Sequence, residues 1–268
     1  MNEGAKLAVH NLSKRFNGSS GEVRALRNVS LSIRQGEFVI VVGASGCGKS
    51  TLLNIVAGLD QADAGEILMD GVPIKGPGRE RAVVFQDGAL FPWLTVVKNV
   101  EFGLKQMGLG PQARREKAME FLHIVHLSKF SDSNLHELSG GMRQRVAIAR
   151  ALVVEPEVLL MDEPFSALDA QTREDLYIEL QRVCERTSAT VLFVTHNVRE
   201  AVTLGDRVVL LGRADEHDSI QQEFPIKLSR PRHIDDEEVA RIAKRISQAL
   251  REGGEHVQPE EYEDEERR

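Results

Sequence analysis

Glycines, a lysine and three hydroxyls stand together in GASGCGKST at 43–51. This is the pattern G-x-x-x-x-G-K-[ST], which cradles phosphate when it follows a buried strand and opens a helix. Both neighbours suit it, with EFVIVV before and STLLNIVAGL after. Small residues from Gly43 through Ala44, Ser45, Gly46, Cys47 and Gly48 let backbone N–H groups approach phosphate oxygens without a Cβ in the way. Lys49 is placed to reach the β and γ phosphates, Ser50 to ligate magnesium, and Thr51 to support the α phosphate. Cys47, among these N–H groups and beside Lys49, is expected to have an acidic, alkylatable thiol that bound nucleotide would shield.

Two carboxylates close the apolar run VLLMDEP at 158–164. A buried strand ending in a polar turn would read the same way, but beside a phosphate loop the pair has a chemical use. Asp162 can hold magnesium through water, and Glu163 projects where a general base polarises an attacking water. His196 ends the next apolar run, TVLFVTH, and the carboxyl ends of strands line the site in open parallel sheets. That places it to contact the γ phosphate. Gln86 ends AVVFQ on the way into a helical segment, a position suited to a nucleotide sensor. A second glycine pair lies in LSGGMRQ at 138–144, just ahead of a basic, helix-forming run. Backbone N–H groups at such a helix start, from Gly140 and Gly141 after Ser139, also suit an anion. This second cradle stands about 90 residues beyond Lys49, although one nucleotide needs one cradle.

These groups need a frame, and the hydrophobic pattern supplies one. Residues 6–42 read as short alternating strands, and EILMDGVPI as a strand pair turning at Asp70-Gly71. Val96, Val100, Leu104 and Met107 fall at helical spacing, as do Ala118, Phe121, Leu122 and Val125, so an all-helical lobe interrupts the strands. From 156 onward strands alternate with helices, which predicts a parallel, doubly wound α/β sheet. IQQEFPIKL at 220–228 reads as an edge strand because of Pro225. Val239, Ile242, Ile246 and Leu250 then mark an amphipathic helix, and the acidic stretch at 255–268 reads as a solvated, disordered tail.

Composition narrows the function classes. The chain has 268 residues, 41% of them hydrophobic, enough for a substantial core. Its net charge is −7, but residues 255–268 hold seven acids and two arginines, so −5 sits there and −2 on the rest. That balance argues against a nucleic-acid surface. No apolar run reaches the roughly 18 to 20 residues of a membrane span. MNEGAKLAVH lacks the blocks of a signal peptide, and two cysteines make no disulfide framework, so a reducing cytosol is expected. Metal binding by His123, His126 and His136 would need a pocket and is not expected.

Taken in order, the phosphate loop, Gln86, LSGGMRQ, Asp162-Glu163, SALD at 166–169 and His196 resemble the nucleotide-binding subunit of an ABC transporter. The resemblance implies a P-loop cassette over residues 6–230, with a RecA-like core, an antiparallel β subdomain and an inserted helical subdomain at about 87–155. A C-terminal helix at 231–254 and the tail at 255–268 follow. It implies ATP and Mg2+ as cofactors, with Ser50, Gln86 and Asp162 on the metal and Phe16 stacked on adenine, where tyrosine is usual. Glu163, His196, Gln86 and Lys49 would carry the catalysis. It also accounts for the second cradle. Two subunits pack head to tail, and Ser139, Gly140 and Gly141 of one close over the nucleotide of the other, with Asp169 communicating across the interface. Partners would be a second copy or a paired ATPase subunit, the permease subunits and, indirectly, a periplasmic or extracellular solute-binding protein. The place of work would be the cytoplasmic face of the membrane. FPWLTVVKNVEFGL at 91–104 and RPR at 230–232 are similar to the nitrate, sulfonate and taurine importer ATPases. A bicarbonate, thiamine-precursor or riboflavin-type importer stays open, as does a non-transport ABC clamp, although such clamps carry a far longer insertion than these 90 residues. In this reading Leu90, Phe91, Trp93 and Leu94 offer a patch on which the permease rests.

Overall fold

The computed structural model describes residues 4–18, 21–214 and 218–252, and the acidic tail lies outside them. Two strands, β1 (Ala5–Gly18) and β2 (Gly21–Arg34), open the chain as an antiparallel pair. At 14 residues each they are far longer than the alternation suggests. Register shifts interrupt β1 between Val9 and Leu12, where Asn11 adopts φ +49°. Such bulges break the period of two that sequence reading relies on. A four-stranded antiparallel sheet forms when β4 (Ala64–Met69) joins β1 and β5 (Val72–Pro73) joins β4. Asp70 and Gly71, both at positive φ (+50° and +77°), make the tight turn between them.

The second sheet carries the chemistry. Its order is β10-β9-β3-β8-β7-β6, formed by β3 (Phe38–Val42), β6 (Arg81–Val84), β7 (Val158–Asp162), β8 (Thr190–Thr195), β9 (Arg207–Leu211) and β10 (Ile220–Pro225). All pairings are parallel except that of β10, which runs antiparallel at the edge, where Pro225 is tolerated. Every residue of β3 and β8 is buried, as a strand covered on both faces requires. Alternate side chains split between two cores. Phe38, Ile40 and Val42 face one, while Val39 and Val41 face the other with α1 (Lys49–Ala57) and the antiparallel sheet.

Three helices form the lobe between β6 and β7: α2 (Val96–Gln106), α3 (Pro111–Ile124) and α4 (Gly140–Leu152). Val96, Val100, Leu104, Ala118, Phe121, Leu122 and Val125 are buried as their spacing implies, but Met107 caps α2 and is exposed. The helices α5 (Ala170–Thr187) and α6 (Val198–Leu204) lie between the last parallel strands. Finally α7 (Glu237–Glu252) seats Val239, Ala243 and Ile246 in the first core. Just before it, the buried Arg232 donates to the carbonyls of Val202, Gly205 and Leu228, tying the C-terminal segment to α6.

Candidate functional site

The carboxyl edge of the parallel sheet gathers the residues singled out above. Across β3, β8, β7 and β6 it presents Gly43, His196, Asp162 with Glu163, and then Gln86, two residues beyond Val84. Gln86 is exposed in a turn closed by Gly88 N–H to Phe85 O at 3.0 Å.

The phosphate loop joins β3 to α1. Gly48, which precedes the helix, has φ +96°, and a Cβ there would meet the Ala25 carbonyl oxygen at 2.2 Å. Only glycine fits. Ala44, Ser45 and Gly46 are exposed at the rim, and a Cβ on Gly46 would meet nothing within 4 Å. Lys49 is buried at the start of α1, and its Nζ donates to the carbonyls of Gly43 and Ala44, each at 2.9 Å. Those bonds hold the ammonium over the loop's concave side, where a charge-assisted contact to phosphate would be made. Thr51 follows, half-buried, and the Ser50 hydroxyl stands near the Asp162 carboxylate and favours its charged form.

Cys47 departs from expectation. It is 1% exposed, and burial pushes its thiol up from the ordinary value, outweighing the pull of Lys49. The sequence shows the neighbouring cation but not the core that closes over the sulfur, so the acidic, reactive thiol is replaced by an inert one.

Burial also raises Asp162, with the Glu163 charge adding to it and the Ser50 hydroxyl and Lys49 opposing. Its Oδ1 is buried with no hydrogen-bond partner. An orphan carboxylate oxygen beside a serine hydroxyl is the donor set of a hard, oxygen-preferring cation such as Mg2+. The residues present therefore fit that ion. Next to it Glu163 has φ +44°, left-handed backbone that a non-glycine residue adopts at a cost of roughly 1–2 kcal/mol. The Glu163 N–H is held by Val194 O at 2.9 Å, and its Oε2 lies 2.9 Å from His196 Nδ1. A carboxylate can only accept, so the bonding hydrogen belongs to the histidine nitrogen.

The second cradle is built but stands apart. Ser139 caps α4, accepting from Met142 N–H at 3.2 Å, and Gly140 and Gly141 are the first two helical residues. A Cβ on Gly141 would meet Ala167 O at 3.0 Å, so α4 starts hard against the SALD loop. Among the described residues no hydrogen bond or ion pair joins Ser139–Gly141 to the phosphate loop. Asp169 caps α5 in the same way, accepting from Thr172 N–H at 3.0 Å, a bond that holds its carboxyl below the usual range. Phe16 stands 44% exposed on β1 with the Lys14 ammonium 5.1 Å from its ring centre, leaving an aromatic face at the surface.

Several residues escaped sequence reading. Gln144 of α4 donates to Phe85 O, and Arg150 donates to Gly88 O and Ala89 O at 2.9 and 2.8 Å, so α4 grips the loop after Gln86. The fully buried Asn99 accepts from Phe91 N–H and donates to the carbonyls of Phe91, Leu94 and Thr95. Its spacing with Val96 on α2, three positions along a buried face, was the available signal. This frame leaves Trp93 76% exposed, tilted against Phe91 with ring centres 5.6 Å apart, and Phe91 also meets Phe102 at 4.5 Å. Leu90 instead packs on the lobe core.

Known proteins share both sequence and fold with this chain. Residues 26–166 match the family model described as ABC transporter. The nitrate import ATP-binding protein NrtD of a Synechocystis species is 49% identical over 222 residues, 83% of each chain. The taurine import ATP-binding protein TauB of Burkholderia pseudomallei is 48% identical over 207 residues, 77% of this chain and 80% of that one. Among solved structures, a dimer of the ATP-binding cassette MJ0796 in a post-hydrolysis state with ADP and Pi is 34% identical, with TM-score 0.75 over 83% of this chain and all of that one. The family match across half the chain, identities near 48% across most of it and the shared cassette fold lead to one assignment: the chain belongs to the ABC transporter family, as an ATP-binding subunit of its importers and an ATPase.

Proposed function

We propose that this chain powers uptake of a small anion of the nitrate, sulfonate or taurine class by hydrolysing ATP between two copies of itself or between it and a paired ATPase subunit. Support for the solute class comes from the nitrate and taurine relatives; support for pairing comes from the dimeric cassette it resembles. We divide the chain into a cassette at 6–230, with its helical lobe at 87–155, and a C-terminal helix at 231–254. It would sit at the cytoplasmic face of a membrane through permease subunits, since no described helix is long and apolar enough to cross one.

The observation that carries the mechanism is the Glu163–His196 bond at the sheet edge beside the phosphate loop. Glu163 Oε1, free of that bond, accepts a proton from the attacking water. His196 fixes the carboxylate's orientation through Nδ1, and its Nε2 reaches a phosphate oxygen as a donor when the ring carries both protons. Lys49 and the N–H groups of residues 43–51 hold the β and γ phosphates in line with that water. Ser50, Asp162 and Gln86 would hold Mg2+, which when bound neutralises charge on the phosphate oxygens. The helix start at Ser139, Gly140 and Gly141 would stabilise the γ phosphate of the partner's nucleotide with its N–H groups. Phe16 would stack on adenine.

Glu163→Gln tests this reading. A general base contributes about 10²–10⁴-fold, so ATP turnover should fall by that factor while ATP still binds, and sedimentation should show dimer accumulating with ATP. Near wild-type turnover would reject Glu163 as the base.

A further inference from the structure

Glu200 on α6 is only 4% exposed, and burial raises its carboxyl above the ordinary value. A buried carboxylate needs partners, and here they are two hydroxyls. Tyr177 of α5 donates to Oε1 at 2.9 Å, and Thr195, the last residue of β8, donates to Oε2. The Thr195 hydroxyl also accepts from Asn197 N–H at 3.0 Å. Asn197 in turn caps α6, accepting from the N–H groups of Arg199 and Glu200 at 3.0 and 3.2 Å. His196 is the single residue between Thr195 and Asn197. Its backbone is pinned on both sides, although its side chain is 64% exposed and, among the described residues, bonds outward to Glu163. On the far side, Arg173 lies one turn before Tyr177 on α5. Its guanidinium charge acts on the same phenol and on Glu200, and its Nη2 donates to Leu168 O at 2.7 Å, in the SALD loop. Hydrogen bonds, with the Arg173 charge between them, therefore link that loop to the turn that presents the histidine.

We propose that Tyr177, Glu200 and Thr195 are positioning residues that hold His196 at bonding distance from Glu163 and tie that distance to the loop before α5. The relay rests on the reading of His196 given above. Its logic is geometric. An exposed side chain on a short turn keeps one orientation only if the turn is fixed, and misplacement of about 1 Å at a reacting centre can cost about 10²-fold. The loop at the other end precedes Asp169, so a movement there would reach the histidine through Arg173, Tyr177, Glu200 and Thr195.

The test uses the full chain. Tyr177→Phe keeps the ring packed edge-on against Phe165, 5.2 Å away, and removes only the hydroxyl. Thr195→Val keeps shape without the donor, and Thr195→Ser keeps the donor. Tyr177→Phe and Thr195→Val should each lower kcat about tenfold with MgATP affinity within about twofold of wild type, because only the transition state uses the histidine. Thr195→Ser should restore turnover. In a His196→Ala background Tyr177→Phe should lower kcat no further, since residues acting as a unit are not additive. A Tyr177→Phe chain with wild-type kcat, a Thr195→Ser chain as slow as Thr195→Val, or a full additional loss in the His196→Ala background would each overturn the relay. A His196→Ala chain with wild-type turnover would instead reject the reading of His196 itself, and the relay with it. Should Tyr177→Phe fail to fold, the two Thr195 substitutions still decide the matter.

Discussion

Asp162 combines features that favour a ligand over stability. Its Oδ1 is buried without a partner, and the carboxyl stands beside Glu163, which adds like charge. Leaving such an acceptor unsatisfied costs about 1–3 kcal/mol. The lower end applies here because the side chain is only partly buried. Asp162→Asn keeps the shape and removes the charge set beside Glu163, so the nucleotide-free chain should gain about 1 kcal/mol, or roughly 2–4 °C in Tm for a chain of this size. With MgATP the order should reverse. Ligand at a hundred times its Kd adds about 2.7 kcal/mol to the wild type, roughly 5–10 °C, and the mutant should lose most of that gain because its amide is a poor ligand for Mg2+. Melting curves for both chains in EDTA, in ATP with EDTA and in MgATP would show the crossing. ATP with EDTA is the control, because that part of the stabilisation does not use the carboxylate and should be shared. A mutant that melts lower than wild type without nucleotide refutes the strain argument. One that gains as much from MgATP as wild type refutes the metal assignment.

Two further perturbations follow from the same geometry. Cys47 should be alkylated by maleimide far more slowly than an exposed thiol, at least tenfold given its burial and raised pKa, and Cys47→Ala should keep turnover within about twofold because no assigned step uses the sulfur. Fast labelling quantified by mass spectrometry would mean that the loop opens in solution. Trp93→Ala should leave Tm within about 1 °C, since truncation of an exposed side chain usually costs no more than ±0.5 kcal/mol, and should leave ATP binding intact. It should weaken co-purification with the permease at least tenfold, as loss of an aromatic interface anchor does. Unchanged co-purification together with a lowered Tm would make Trp93 a packing residue.

How much of this was written in the chain depends on the kind of signal. The continuous apolar runs of β3, β7 and β8 have no other stable use than strands covered on both faces, and the structure buries them so. The glycine loop is legible because its residue types answer to sterics at single positions, as Gly48 shows. Long-range pairing hides more. The bulges at Asn11 and Asn28 depend on which strand lies opposite, and they erased the alternation that would have revealed 14-residue strands. Asn99, Glu200 and Arg232 look like surface residues until their partners are known, and those partners lie up to 51 positions away. Cys47 was misjudged for the same reason, since charge in sequence is visible and desolvation is not.

That division between visible and hidden follows the energetics of the site. The left-handed backbone at Glu163, the orphan oxygen of Asp162 and the crowded glycine at Gly48 all sit on the carboxyl edge of one sheet. Each is a local conflict, and such conflicts persist only where the surroundings over-determine the structure. Here the surroundings are the buried strands β3 and β7, which lead into those residues, and β8 between them. Strained geometry therefore follows buried strands, and His196, an exposed catalytic candidate, lies where its turn is held by hydroxyls instead of by packing. A site assembled in this way holds its carboxylates ready before nucleotide arrives, and the cost is carried by the ligand-free state. On this argument the groups that most destabilise that state, Asp162 foremost, are the groups through which MgATP should stabilise the chain most.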